Sequence, residues 1–249
     1  MQSIQAIGFD LFNTLITVDA QALDDALTRL TASLVADGLD IDPDRFREEH
    51  REAAVEHVLQ AREDGLETHN RLWISQALHR LGSPLPPEDP RIAKAIEAYF
   101  SAFLESSEII PGTLETLDQL KGRYRLGLLS NFTHAPAARA IMDRVGLSGC
   151  FEVLLISGEL GYRKPHPKTF SALTASLRTA PEATLYIGDD PQADVDGAMA
   201  SGLLPVWTTY VRDRNIPQAP GLAAILQEES DCDCPRISNW PELFSLLTP

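Results

Sequence analysis

Cysteine is scarce, with three among 249 residues. An odd count cannot pair fully within one chain, which argues against a disulfide scaffold and for a reducing compartment such as the cytoplasm. No apolar run approaches the ~20 residues that cross a bilayer, so no transmembrane helix is expected. The opening stretch MQSIQAIGFD has no basic flank and no small-residue cleavage site. It reads as a strand rather than an export signal. Positive charge is also in deficit. Against 36 acidic residues stand 21 Lys and Arg, for a formal net charge of -15. Such a surface repels phosphate backbones and anionic lipid, so neither nucleic acid nor membrane is an expected partner. An anionic ligand would need a local positive site.

What remains is an ordinary globular composition, 44% hydrophobic and 23% charged, long enough for one large domain or a core with an insert. Ile4–Phe9 is a short apolar run ending at Asp10, consistent with a buried strand. From about residue 20 the pattern turns helical. Leu23, Leu27, Leu30 and Leu34 recur at helical spacing before Gly38. Asp42-Pro43 reads as an N-cap with proline at the first helical position, and Phe46, His50, Ala54 and His57 mark one face of the helix that follows. Further helices are predicted over Thr68–Leu81 and, after the proline-rich loop Ser83–Pro90, along Ile92, Ile96, Tyr99 and Phe103. Residues 20–105 thus read as all-helical.

Beyond Pro111-Gly112 strands and helices alternate. Helices are predicted at Thr113–Leu120, Ala135–Val145, Lys168–Leu177 and Gln192–Ser201. The intervening strands are Arg125–Leu129, Val153–Ile156, Thr184–Ile187 and Pro205–Thr208. This rhythm implies right-handed crossovers building a parallel sheet, a doubly wound α/β core. Residues 211–235 read mostly as irregular, with a short closing helix near Pro241–Leu247.

Four chemically capable elements fall at or near carboxyl ends of predicted strands, where open α/β sheets place ligands. They are Asp10-Leu11-Phe12-Asn13-Thr14-Leu15, Ser130-Asn131, Lys164-Pro165, and Gly188-Asp189-Asp190 with Asp194. In this order and spacing they resemble the haloacid dehalogenase-like hydrolase superfamily, and the helical stretch resembles its helical cap. The resemblance covers nearly the whole chain. It implies a Rossmann-like core of residues 1–17 and 107–249, with a cap at 18–106 inserted after the first strand.

It implies chemistry as well. Asp10 is expected to be the nucleophile of a covalent intermediate. Lys164 and a magnesium ion would supply the positive charge that attack on an anionic phosphoryl group requires. Asp10, the Phe12 backbone carbonyl, Asp189 and Asp194 are the expected metal ligands, directly or through water. Ser130, Asn131 and Lys164 are expected to hold phosphoryl oxygens, and Thr14 to fix the loop carrying Asp10. The substrate would be a small phosphorylated metabolite. The oligomeric state is not legible.

One position departs from the pattern. Phosphatases of the superfamily usually carry a second Asp two residues after the nucleophile, where this chain has Phe12. Phenylalanine moves no proton, and positioned acid–base catalysis is worth roughly 10²–10⁴ in rate. The aromatic is dehalogenase-like, since halide departs without a proton. A dehalogenase acting through an Asp10 ester, and a catalytically inactive binding protein on the same fold, are therefore the alternatives. The acids Asp189, Asp190 and Asp194 favour a cation and phosphate over halide. The remaining candidates read as structural. Asp190 and Asp196 are expected as helix-terminal and surface charges. His134 and His166 are expected as loop residues, Trp73 as insert core, and Cys232 and Cys234 as loop cysteines.

Overall fold

A computed structural model describes residues 3–218 and 233–247. The apolar run before Asp10 forms strand β1 (Ala6–Phe9) at the centre of a six-stranded parallel sheet. Its neighbours are β4 (Arg125–Ser130) and β6 (Thr184–Gly188), with Phe9 beside Leu128 on one side and Ile187 on the other. Outside them lie β5 (Val153–Ile156), β7 (Leu204–Thr208) and β8 (Arg236–Ile237), in the order β5-β4-β1-β6-β7-β8. The chain winds outward one way through β4 and β5, then returns to the other side through β6. This places a topological switch beside β1, where carboxyl ends of strands open a crevice.

Both sheet faces are covered, which is why these strands read as near-continuous apolar runs. Alternate residues pack on opposite sides. Ile7, Phe9, Leu126, Leu128, Leu185 and Ile187 join one core with α5 (Thr113–Lys121), α6 (Ala135–Arg144) and α11 (Trp240–Leu247). Ala6, Leu129 and Tyr186 join the other, with α8 (Pro167–Leu177) and α9 (Gly197–Ala200). Each fully buried Leu or Phe contributes roughly 1.5–3 kcal/mol.

Four helices form the insert: α1 (Ala22–Ala36), α2 (Pro43–Asp64), α3 (Asn70–Arg80) and α4 (Pro90–Ser106). Asp42 accepts a hydrogen bond from the Arg45 N–H at 2.9 Å, and Asp89 caps α4 in the same manner. The apolar stripe of α1 is rotated from its expected position. Ala22, Ala26, Leu30 and Leu34 are buried, whereas Leu23 is 36% exposed. The buried face of α1, which packs against α4, thus carries Ala22 and Ala26 in place of Leu23. The insert joins the sheet through a two-stranded antiparallel ribbon, β2 (Ile16–Val18) with β3 (Ser107–Ile109).

Other local departures follow from tertiary pairing. The predicted helix at 192–201 is instead a π-helical turn, Pro191–Asp196, followed by α9. Within 211–235, Tyr210–Asp213 forms the short helix α10. Another short helix, α7 (Ser157–Leu160), follows β5. Cys232 lies outside the described residues. Among the described residues no helix is long and apolar enough to cross a membrane.

His50 on α2 is buried among Phe46, Trp73 and Tyr99, with ring centroids 5.9, 6.2 and 6.2 Å away. Burial pushes its pKa down from 6.5 to about 4. The fold holds the neutral ring, so its stability is fully present above pH ~6.5 and is lost as pH falls toward 4. A shift of this size corresponds to about 3 kcal/mol. Thermal melts from pH 7 to 4 are expected to show a steeper loss of Tm for the wild type than for His50→Leu. Equal slopes would mean that His50 is not the group titrating.

Candidate active site

Asp10 follows β1 directly, and its N–H donates to the Ile187 carbonyl at 2.9 Å, carrying the strand register one residue further. The chain then turns tightly. Leu15 and Ile16 both donate to the Leu11 carbonyl, at 2.9 and 3.1 Å, and Asn13 adopts φ +60°. Thr14, expected to fix this loop, is buried within it. Thr14 Oγ1 is buried and has no hydrogen-bond partner among the described residues. Main-chain hydrogen bonds and the buried Leu11 and Leu15 hold the turn.

Asp10 and Lys164, 154 residues apart in sequence, meet at 2.7 Å. The ammonium has three protons, and each has an acceptor: Asp10 Oδ1, Asp194 Oδ1 at 2.6 Å, and the Tyr186 hydroxyl at 2.9 Å. Tyr186 in turn donates to the Leu129 carbonyl at 2.9 Å. No motif pointed to Tyr186. The available signal was a lone phenol in a buried strand, on the face that α8 covers.

Asn131 makes two hydrogen bonds to the Lys164 main chain. Its Oδ1 accepts from the Lys164 N–H at 2.8 Å, and its Nδ2 donates to the Lys164 carbonyl at 3.0 Å. These two bonds position the lysine, and the second N–H of the Asn131 amide takes no part in them. Ser130 closes β4 beside β1 and is buried.

On the other side Asp189 follows β6, and Asp194 lies in the π-helical turn. Gly188 makes this approach possible, because a Cβ there would lie 2.2 Å from the Asp194 carboxyl carbon. Asp194 Oδ2 accepts the Asp190 N–H at 3.0 Å. Asp190 itself caps the turn, accepting from Gln192 and Ala193 N–H groups at 3.0 and 2.9 Å. No hydrogen bond to the Asp189 carboxylate is made by the described residues.

Asp10, Asp189 and Asp194 are all buried, and one carboxylate oxygen from each lies within 4.8 Å of the others. Three acids therefore face one ammonium. Burial pushes Asp194 up to about 7, against the pull of Lys164. Burial, followed by repulsion from Asp10 and Asp194, raises Asp189 well above the usual carboxylate range. Burial opposes the Lys164 charge, yet Asp10 and Asp194 outweigh it and keep the ammonium protonated. Ionised together, the three acids would carry more negative charge than one lysine offsets. Hard oxygen donors at this spacing suit a small divalent cation such as magnesium, which would relieve the repulsion.

Phe12 is half-buried, and its ring stacks on Phe132, with centroids 5.1 Å apart at 11°. Phe132 meets Phe100 of α4 at 5.1 Å, and Phe100 stacks on His134 at 5.0 Å. His134 pairs with Glu97 at 2.8 Å. His166 accepts the Lys168 N–H at the start of α8. Neither histidine contacts Asp10 or Lys164. Trp73 is buried within the insert and donates to Thr68 Oγ1.

The haloacid dehalogenase-like hydrolase model matches residues 4–202. The chain is 31% identical to a ribulose-1,5-bisphosphate 5-phosphatase of Halopiger xanaduensis, covering 96% of this chain and 99% of that one. It is 26% identical to a glyceraldehyde 3-phosphate phosphatase of Pyrococcus furiosus, covering 94% and 97%. Solved structures share the fold at lower identity. A 2-haloacid dehalogenase from Pseudomonas syringae superposes with TM-score 0.65 at 23% identity, covering 98% of each chain. A phosphatase from Thermococcus onnurineus does so with TM-score 0.62 at 21%, also covering 98% of each. By family match and by fold, the chain belongs to the haloacid dehalogenase-like hydrolases.

Proposed function

We propose that this hydrolase is a magnesium-dependent phosphatase of small phosphorylated metabolites, working in the cytoplasm through an aspartyl-phosphate on Asp10. The observation that carries the reading is the buried convergence of Asp10, Lys164, Asp189 and Asp194. A dehalogenase needs no cation, and three crowded acids would only burden it. The phosphatase names of relatives aligned over nearly their whole length support the same choice.

A carboxylate oxygen of Asp10 attacks phosphorus. The bond to the leaving group breaks, and its electron pair departs with that group. Water then cleaves the acyl phosphate and regenerates Asp10. Lys164, held by Asn131 and Tyr186, orients Asp10 and offsets negative charge. Ser130 and neighbouring N–H groups receive phosphoryl oxygens. Asp10, the Phe12 carbonyl, Asp189 and Asp194 would hold magnesium, which supplies Lewis-acid charge to an anionic substrate when bound. Residues 18–106 act as a cap over the core of 1–17 and 107–249 and exclude water from the crevice. Phe12 offers no proton, so substrates with stable leaving groups are favoured.

The aromatic wall of Phe12 and Phe132 is the one feature that favours the dehalogenase alternative. Product analysis separates the two readings. Phosphate release from p-nitrophenyl phosphate and sugar phosphates is expected with magnesium and to fall at least ~10²-fold in chelator. Halide release from 2-haloacids in chelator would overturn the phosphatase reading.

A further inference from the structure

A cavity of about 390 Å³ lies where the turn after β1 meets the carboxyl ends of β7 and β8 and the first turns of α5 and α11. Its size is within the range of small-molecule sites. Asp10, Lys164, Asp189 and Asp194 do not line it, so it is separate from the catalytic cluster. Two hydrogen bonds nevertheless tie its wall to that cluster. Ile110 donates its N–H to the Leu15 carbonyl at 2.9 Å, inside the turn that carries Asp10. Trp207, next to Thr208, donates its Nε1 proton to the Asp189 carbonyl at 3.0 Å.

The buried part of the wall is uncharged. The charged residues that line the cavity are Glu115 and Arg214, which are exposed and opposite in sign. Arg214 already donates to the Tyr210 and Ser238 carbonyls, at 3.3 and 2.9 Å, and lies 4.0 Å over the Tyr210 ring. An anion therefore gains little here, which sets the cavity apart from a phosphate site. Flat apolar surface comes from Tyr210 and Trp240. The Trp240 Nε1 proton is spent on Thr113 Oγ1 at 3.0 Å, so Trp240 brings ring carbons to the wall. Thr14, Thr116 and Thr208, between 1% and 4% exposed, bring buried hydroxyls. The Thr14 hydroxyl has no hydrogen-bond partner among the described residues. A hydroxyl can donate or accept, and leaving it unpaired in the interior is costly. A ligand with a polar edge relieves that cost.

We infer that this cavity is a second ligand site, taking a small uncharged aromatic molecule whose ring packs on Trp240 and Tyr210 and whose polar edge bonds the Thr14 hydroxyl. A ligand so placed bears on the turn that carries Asp10 without competing for the crevice.

The test titrates the full chain with two matched pairs, indole against indene and benzamide against benzoate, by ligand-observed NMR. Indole is expected to bind with Kd on the order of 1 mM or tighter. Indene lacks the N–H and should bind at least about threefold more weakly. Benzamide should bind more tightly than its anionic counterpart. Neither chelator nor inorganic phosphate with magnesium should displace indole. Thr14→Val keeps the side-chain shape and should bring the indole-to-indene ratio within about twofold of one. Tyr210→Ala removes a half-buried ring at the cavity and should weaken indole roughly 3- to 10-fold. The inference is overturned if the wild type binds no indole at millimolar concentration, binds indole and indene equally, or prefers benzoate. Displacement of indole by phosphate would place it in the crevice, and undiminished binding to Tyr210→Ala would place it elsewhere. Either result overturns the inference too. Turnover enters none of these readouts, so the phosphatase reading stands or falls separately.

Discussion

Asp10→Asn is expected to lower phosphate release by on the order of 10⁴-fold or more, with Tm within a few degrees of wild type. The two effects separate for a physical reason. An amide oxygen is a poor nucleophile, so no covalent intermediate forms. The same oxygen still accepts the hydrogen bond that Lys164 gives Asp10 at 2.7 Å. Removing one of three crowded acids also relaxes the repulsion felt by Asp189 and Asp194. Mass spectrometry of acid-quenched turnover should show a phosphoryl adduct on the wild type and none on the variant. Turnover retained by Asp10→Asn would rule out covalent catalysis by this residue.

Lys164→Met should act on both activity and stability. Methionine keeps the stem of the side chain but removes the cation. Asp10 and Asp194 are then buried carboxylates without a counterion, and the Tyr186 hydroxyl loses a donor. Breaking a buried ion pair from one side costs about 3–5 kcal/mol. In a chain of this size that corresponds to a Tm lower by roughly 6–20 °C. Two rescues are expected. Added magnesium should recover part of the loss by binding the folded acids. The double variant Lys164→Met/Asp194→Asn should melt above the single one, since it removes a stranded charge. A loss below ~1 kcal/mol for the single variant, or additive effects in the double, would show that the ammonium and acids are not energetically coupled.

Much of the core could be read from local pattern. β1, β4, β5, β6 and β7 lie within a residue or two of their expected places because strands buried on both faces are marked by unbroken apolar runs. The insert helices were legible from period and caps, with Asp42-Pro43 starting α2 as expected. The strand pair β2–β3 and the edge strand β8 were not. Three residues at a neck and two at an edge carry no periodicity, and their pairing partners are far away in sequence.

The site divides along the same line. Asp10, Ser130, Lys164, Asp189 and Asp194 could be nominated by type and by position at strand ends. Their partners could not. Thr14 Oγ1 makes no hydrogen bond among the described residues, Asn131 holds Lys164, and Tyr186 completes the lysine's set of acceptors.

The amino-acid order by itself determined the insert helices, the five longer core strands, the sense in which they wind, and the acids and lysine delivered to the carboxyl ends of adjacent strands. Hydrophobic period and strand-end position are local properties, written within a few residues. The tertiary structure alone decided which buried polar groups spend their hydrogen bonds on one another and which, like Thr14 Oγ1, keep one open. A donor and its acceptor meet only after segments more than a hundred residues apart have packed, and angstrom distances between them are set by that packing.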